Sequence, residues 1–211
     1  MVMKAVTLNQ DFVHAASIRN GRRLEYLTIG WNSLEAIIAV AAGAIAGSVA
    51  LIGFGIDSII EVSSGAILLW RLVSGEHREQ LALKLVGISF LALAAYVAFD
   101  AGKSLLLYES PDESYIGIVL AALSLIVMPL LARAKRKVAA SLNSRAMQAD
   151  SRQTDICAYL SAILLAGLGL NALFGWWWAD PVAGLIMIPI IAKEGIEALR
   201  GETCCSNKIC H

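Results

Sequence analysis

Gly47-Ser48-Val49-Ala50-Leu51-Ile52-Gly53-Phe54-Gly55-Ile56-Asp57-Ser58-Ile59-Ile60-Glu61 is a strongly apolar run that carries two acids four residues apart. At about 100° per residue, Asp57 and Glu61 fall on one helix face, roughly 40° from each other. Ser64 continues that face. Carboxylates in a membrane helix are costly to bury, and they are kept where an ion or proton path needs them. The stretch therefore poses two questions: whether the chain supplies a bilayer-spanning bundle around the pair, and which residues face it.

Composition answers the first. Hydrophobic residues make up 58% of the 211-residue chain and charged residues 16%. A soluble domain has about 45–50% apolar and about 25% charged residues. The expected class is an all-α integral membrane protein. A formal net charge of zero gives no basis for a nucleic-acid partner. No long apolar run occupies the first twenty residues, so no cleavable signal peptide is expected.

Outward from the quoted stretch, six apolar segments approach the ~20 residues that a helix needs to cross hydrocarbon. They are residues 24–43, 49–73, 82–107, 115–132, 152–176 and 180–199. Residues 1–23 read as an exposed, mixed-charge arm ending in a short surface helix, and residues 200–211 as a short tail. Of the seventeen basic residues, sixteen fall at the termini and in the links after the second and fourth spans; only Lys103 falls on the other side. By the positive-inside rule, both termini are cytoplasmic and the span number is even. Trp176, Trp177 and Trp178 stand at the outer interface as anchors. Gly and Ala in several spans, Gly167, Gly169 and Gly175 among them, allow close helix packing.

A second polar stripe opens the fifth span. Asp150, Gln153, Thr154 and Cys157 lie within about 100° of one another, and Asp155 is rotated roughly 140° from Asp150. Gln153 and Cys157 repeat the four-residue spacing of Asp57 and Glu61. Two such pairs on adjacent helices make a four-donor cation site, the number a tetrahedral metal takes. Each residue has a plainer reading beside this one. The acids can face a wet vestibule, Cys157 can be a small buried hydrophobe, and Asp155 can pair with a basic residue at the cytoplasmic mouth. Glu35, with Asn32 one turn away, is either a carboxyl kept protonated near the bilayer midplane, with Asn32 making a helix–helix hydrogen bond, or a proton-coupling group or outer ligand. Asn171 and Asp180 read as structural, and Glu194 and Glu197 as solvated. Cys204, Cys205, Cys210 and His211 crowd the tail in no standard zinc-finger spacing; metal capture, lipidation and tolerated thiols all fit. Cysteine placement suggests a reducing, cytoplasmic tail rather than a disulfide framework.

The residues resemble the transmembrane domain of the cation diffusion facilitator (cation efflux) family. That family's second span commonly carries S-G-S-L-A-L-L-A-D-A-x-H-x-x-x-D, which aligns without gaps on residues 46–61 and puts ligand positions on Asp57 and Glu61. Its fifth span commonly reads S-x-A-L-x-A-D-A-x-H-x-x-x-D, which aligns from Ser144 and puts ligand positions on Gln153 and Cys157. Trp178-Ala179-Asp180-Pro181 resembles its D-P before the sixth span. The resemblance implies six spans, both termini cytoplasmic, a homodimer, and export of a divalent metal in exchange for protons from a cell membrane such as the bacterial inner membrane. The departures are chemical. Here the set is Asp, Glu, Gln and Cys rather than His, Asp, His and Asp. Oxygen donors suit Mn²⁺ or Fe²⁺, while a thiolate favours Zn²⁺ or Cd²⁺; the family resemblance and Cys157 together favour Zn²⁺. The family's usual soluble C-terminal domain is not expected, as in a minimal branch of small six-span zinc transporters, so any dimerisation is expected to fall to the membrane helices.

The expected metal-site residues are thus Asp57, Glu61, Gln153, Cys157 and Asp150, with Glu35, Asp155, Asn32, Cys204, Cys205, Cys210 and His211 behind them. The metal is cargo; no permanent cofactor is expected. An enzyme finds no support, since there is no nucleophile–base constellation, phosphate loop or cofactor motif. The competing reading is a non-transporting metal sensor or a partner-binding subunit whose acids hold helices together.

Overall fold

A computed structural model describes the backbone of residues 2–74, 79–108, 111–142 and 145–200. It consists of six helices: α1 Val2–Ala46, α2 Val49–Ser74, α3 Glu79–Leu107, α4 Tyr115–Leu142, α5 Arg145–Phe174 and α6 Ala179–Arg200. Among the described residues there is no strand. Helices are the form expected in lipid, because each satisfies its own backbone hydrogen bonds. Five of the six are long and apolar enough to cross a bilayer. α6 has 22 residues, but Lys193, Glu194, Glu197 and Arg200 near its end shorten its apolar stretch.

Two boundaries differ most from the sequence expectation. The N-terminal arm is not a separate segment: α1 runs unbroken through residues 2–46, and Gly21 already packs beside Met147 and Val138. α4 continues ten residues past the expected end of the fourth span, which carries Lys135 into the bundle instead of a loop.

The turns are built from local chemistry. Gly47 takes a left-handed φ of 68°, the conformation that ends a helix and favours glycine. Ser48 then caps α2, its Oγ accepting from Leu51 N at 3.1 Å. The same Oγ donates to Asp180 Oδ1 at 2.5 Å, which ties the α1–α2 turn to the first turn of α6. Ser114 caps α4 by accepting from Gly117 N at 3.2 Å. Asn171 donates to Pro111 O at 3.1 Å, so Asn171 and Asp180 hold turns together, as the sequence suggested.

Packing is closest within three pairs, α1 with α2, α4 with α5, and α3 with α6. α2 also touches α3, α5 and α6, and α1 touches α4. The result is a core of α1, α2, α4 and α5 with the α3–α6 pair at its side. Small residues set the spacing. A Cβ on Gly87 would lie 2.8 Å from Gly195 O, and one on Gly167 would lie 2.6 Å from the Ala183 Cβ. Large apolar side chains such as Ile45, Phe99, Leu106, Leu130 and Leu173 point outward. An exposed surface of that size is expected where lipid is the solvent.

Candidate functional site

Four helices turn polar side chains into the centre of the bundle. α1 buries Glu25, Thr28, Asn32 and Glu35 at three- and four-residue steps, one helical face. α2 buries Asp57, Ser58 and Glu61; α4 buries Ser124 and Lys135; α5 buries Asp150, Thr154, Cys157 and Ser161. The apolar neighbours Phe54, Leu51, Met128, Leu160 and Leu164 are fully buried and shield this polar seam from lipid.

Asp57 and Glu61 are both enclosed, 4% and 1% exposed. Thr154 on α5 donates its hydroxyl to Glu61 Oε1 at 2.7 Å, while Glu61 Oε2 is buried with no partner. The Asp57 carboxyl faces Glu61, Glu35 and the Cys157 thiol. Glu35 is held from three other helices: it accepts from Ser58 Oγ at 3.2 Å, from Ser124 Oγ at 3.0 Å and, at 3.9 Å, from Cys157 Sγ. Three carboxyl groups and one thiol, from α1, α2 and α5, therefore share one buried region. An orphaned buried carboxylate oxygen costs about 1–3 kcal/mol, so this arrangement is expensive unless a cation or proton uses it.

Lys135 closes the seam at one end. Its Nζ is fully buried and donates to Asp150 Oδ2 at 2.5 Å, to Glu25 Oε2 at 3.4 Å and to Thr154 Oγ1 at 3.3 Å.

The sequence-predicted residues fall into groups. Asp57, Glu61 and Cys157 come together, and Glu35 joins them more intimately than its sequence position suggested. Asp150 is engaged by Lys135, with its Oδ1 unpartnered. Gln153 is half-buried and its Nε2 has no partner; Asn32 is buried with both side-chain polar atoms unpartnered. Asp155 pairs with Arg136 on the outside of the bundle, the mouth-side pairing read from the sequence. Cys204, Cys205, Cys210 and His211 lie outside the described residues. Among the described residues, no three His, Cys, Asp or Glu side chains are drawn tightly enough together to enclose a metal ion. The donors share a region without closing on a point.

Sequence reasoning missed Glu25 and Lys135, and gave Thr154 only a place on the stripe. It also read Glu194 as solvated, whereas Glu194 is half-buried and within electrostatic range of Asp57. A signal for Lys135 was present. The buried positions of α4 run Gly117, Leu120, Ala121, Ser124, Met128, Ala132, Lys135 and Ala139, so continuing the stripe past residue 132 lands on the lysine.

Residues 26–202 match the cation efflux transmembrane domain. The chain is 28% identical over 182 residues to transmembrane protein 163 of Xenopus laevis, covering 83% of this chain and 65% of that protein. It is 28% identical over 183 residues to an uncharacterised transporter of Synechocystis, covering 79% and 58%. To the cation-efflux pump FieF of Shewanella oneidensis it is 24% identical over 150 residues, covering 67% and 50%. The chain thus spans half to two thirds of the length of these relatives.

Proposed function

This chain belongs to the cation efflux family, and from that premise we propose that it is a secondary transporter carrying a divalent metal cation out of the cytoplasm in exchange for protons. It is read as a transporter and not an enzyme, in a cell membrane, with both termini cytoplasmic and a homodimer formed through the membrane helices. The observation that carries the proposal is the buried meeting of Asp57, Glu61, Glu35 and Cys157, with Glu61 Oε2 left unpartnered.

The chemistry follows from the donors. A carboxylate or thiol that binds metal must first lose its proton, so metal and protons compete for the same atoms. An arriving cation meets Asp57 and Glu61, with Cys157 and Gln153 on the facing helix and Asp150 nearer the mouth. Because the donors share a region without enclosing a point, binding requires the helices to draw in. That movement is the step at which the path closes on one side before it opens on the other. Protons from outside then take the donor atoms and release the metal. Cys157 is the softest donor and supports Zn²⁺ or Cd²⁺ over Mn²⁺ or Fe²⁺; the name of the Shewanella relative supports a cation and no particular metal.

One observation favours a second reading. The hydroxyls of Ser58 and Ser124 hold Glu35, a pattern that also suits a purely structural clasp in a sensor or subunit. Proteoliposomes with an internal metal-sensitive dye separate the two. Gradient-dependent uptake of one or more of Zn²⁺, Cd²⁺, Mn²⁺ and Fe²⁺, lost in Asp57→Ala with insertion intact, is the expected result. Absence of flux for every ion, from protein shown to be inserted and folded, would overturn the transport reading in favour of the clasp.

A further inference from the structure

Lys135 is 0% exposed, while its neighbours Arg133, Arg136 and Lys137 are exposed. Its three protons meet three acceptors: Asp150 Oδ2, Glu25 Oε2 and Thr154 Oγ1. The Thr154 hydroxyl passes its own hydrogen to Glu61 Oε1. One ammonium thus contacts two acids directly and a third through a single hydroxyl, and the four partners come from α1, α2 and α5. Each of the three acids keeps one buried oxygen without a partner, namely Glu25 Oε1, Asp150 Oδ1 and Glu61 Oε2.

A buried ion pair that serves only stability needs its remaining lone pairs satisfied, since desolvation otherwise outweighs the attraction. Here one positive charge faces three carboxyl groups with three oxygens to spare. The cluster is built to take more positive charge than the lysine brings. Lysine also suits displacement: it is a compact charge on a flexible four-carbon stem, free to withdraw toward the basic end of α4 where its neighbours already lie in solvent.

We propose that Lys135 is a gating residue, a tethered cation that occupies the approach to Glu61 between α1, α4 and α5 and must be displaced by the incoming metal. This rests on the transport reading above. The gate selects by charge. A divalent ion offers the three acids twice the charge of the ammonium it replaces. A monovalent ion offers no more than the ammonium and lacks its tether, which keeps the lysine at high effective concentration.

The test compares Cd²⁺ uptake by wild type and Lys135→Gln in proteoliposomes, with potassium chloride or choline chloride as the salt. Wild type should show the same half-saturating Cd²⁺ concentration in both salts. Lys135→Gln should half-saturate at about tenfold lower Cd²⁺ in choline, and potassium should inhibit it. Unchanged half-saturation in Lys135→Gln, with no difference between the salts, overturns the gate and leaves the transport reading standing. A wild type that moves no divalent ion overturns both. If Lys135→Gln does not insert, Glu25→Gln combined with Lys135→Gln leaves one fewer uncompensated buried acid and carries the same comparison. A double variant that inserts yet moves no ion would make Lys135 part of the scaffold and overturn the gate.

Discussion

Thr154 shows how much one hydroxyl can connect. It lies on α5, accepts from Lys135 and donates to Glu61, so two charged groups from different helices are linked through a single oxygen. Thr154→Val keeps the shape and removes that link. Two buried hydrogen bonds are lost and a charged partner is left exposed to an apolar surface. The expected cost is about 2–3 kcal/mol of stability, read as a lower midpoint in detergent-solubilised thermal unfolding. Thr154→Ser, which keeps the hydroxyl, should recover most of it. Asp57→Ala acts differently. The Asp57 carboxyl lies against the Cys157 thiol and the other buried acids rather than in a turn or a helix cap, so insertion should persist while flux disappears. Retained flux in that variant would remove Asp57 from the path.

At the scale of the element, the close approach of α3 and α6 rests on two glycines facing each other. A Cβ at Gly87 would come within 2.8 Å of Gly195 O and 2.9 Å of Leu199 N, both backbone atoms. Backbone cannot swing aside as a side-chain tip can. Gly87→Ala should therefore part the two helices at a cost of about 1–3 kcal/mol, while an alanine at Gly102, which has open space, should be close to neutral. Thermal midpoints of the two variants, measured side by side, check this.

The helices themselves also show what was legible beforehand. Apolar length and the four-residue spacing of Asp57 and Glu61 located α2 within a residue of its observed C-terminus, because hydropathy and face periodicity are local properties. The stripe on α5 was legible for the same reason. Lys135 was not, because its partner Glu25 is 110 positions away and the run Arg133-Ala134-Lys135-Arg136-Lys137 reads as a solvated link. Only the helix phase separates the buried lysine from its three exposed neighbours. The extent of α1 was hidden by its mixed charge: residues 2–23 lack a continuous apolar face, yet the helix continues through them. Glu35 was visible as an intramembrane acid, but its convergence with Ser58, Ser124 and Cys157 depends on three-dimensional packing that spacing cannot supply.

For the molecule as a whole, the helix alternation places the α1–α2, α3–α4 and α5–α6 turns at one end. The C-terminal ends of α2, α4 and α6 lie at the other. In the proposed orientation, tags at the two termini should be equally accessible in inverted vesicles and equally protected in intact cells; opposite accessibility would break the six-span arrangement. The exchange reading also fixes a sign for pH. Raising pH on the cytoplasmic side removes protons from the donor acids and favours metal binding, and lowering it on the outer side favours release. Uptake into inverted vesicles with an acidic interior should therefore exceed uptake without a gradient, and a protonophore should abolish the excess. Equal rates under both conditions would remove proton exchange while leaving metal transport in place.

The aromatic residues at the α5–α6 turn have an optical consequence. Trp176 and Trp178 stack with centroids 5.2 Å apart and planes 19° from parallel, and Trp177 tilts against Tyr108 of the α3–α4 link at 5.4 Å. Indoles that close share their excited states, so the protein carries a chromophore pair at the α5–α6 turn. Its circular-dichroism couplet in the near ultraviolet reports the mutual angle of two rings in the turn that joins α5 to α6. If those helices shift as cargo passes, the couplet changes amplitude, and the transport cycle becomes visible by light without any added label.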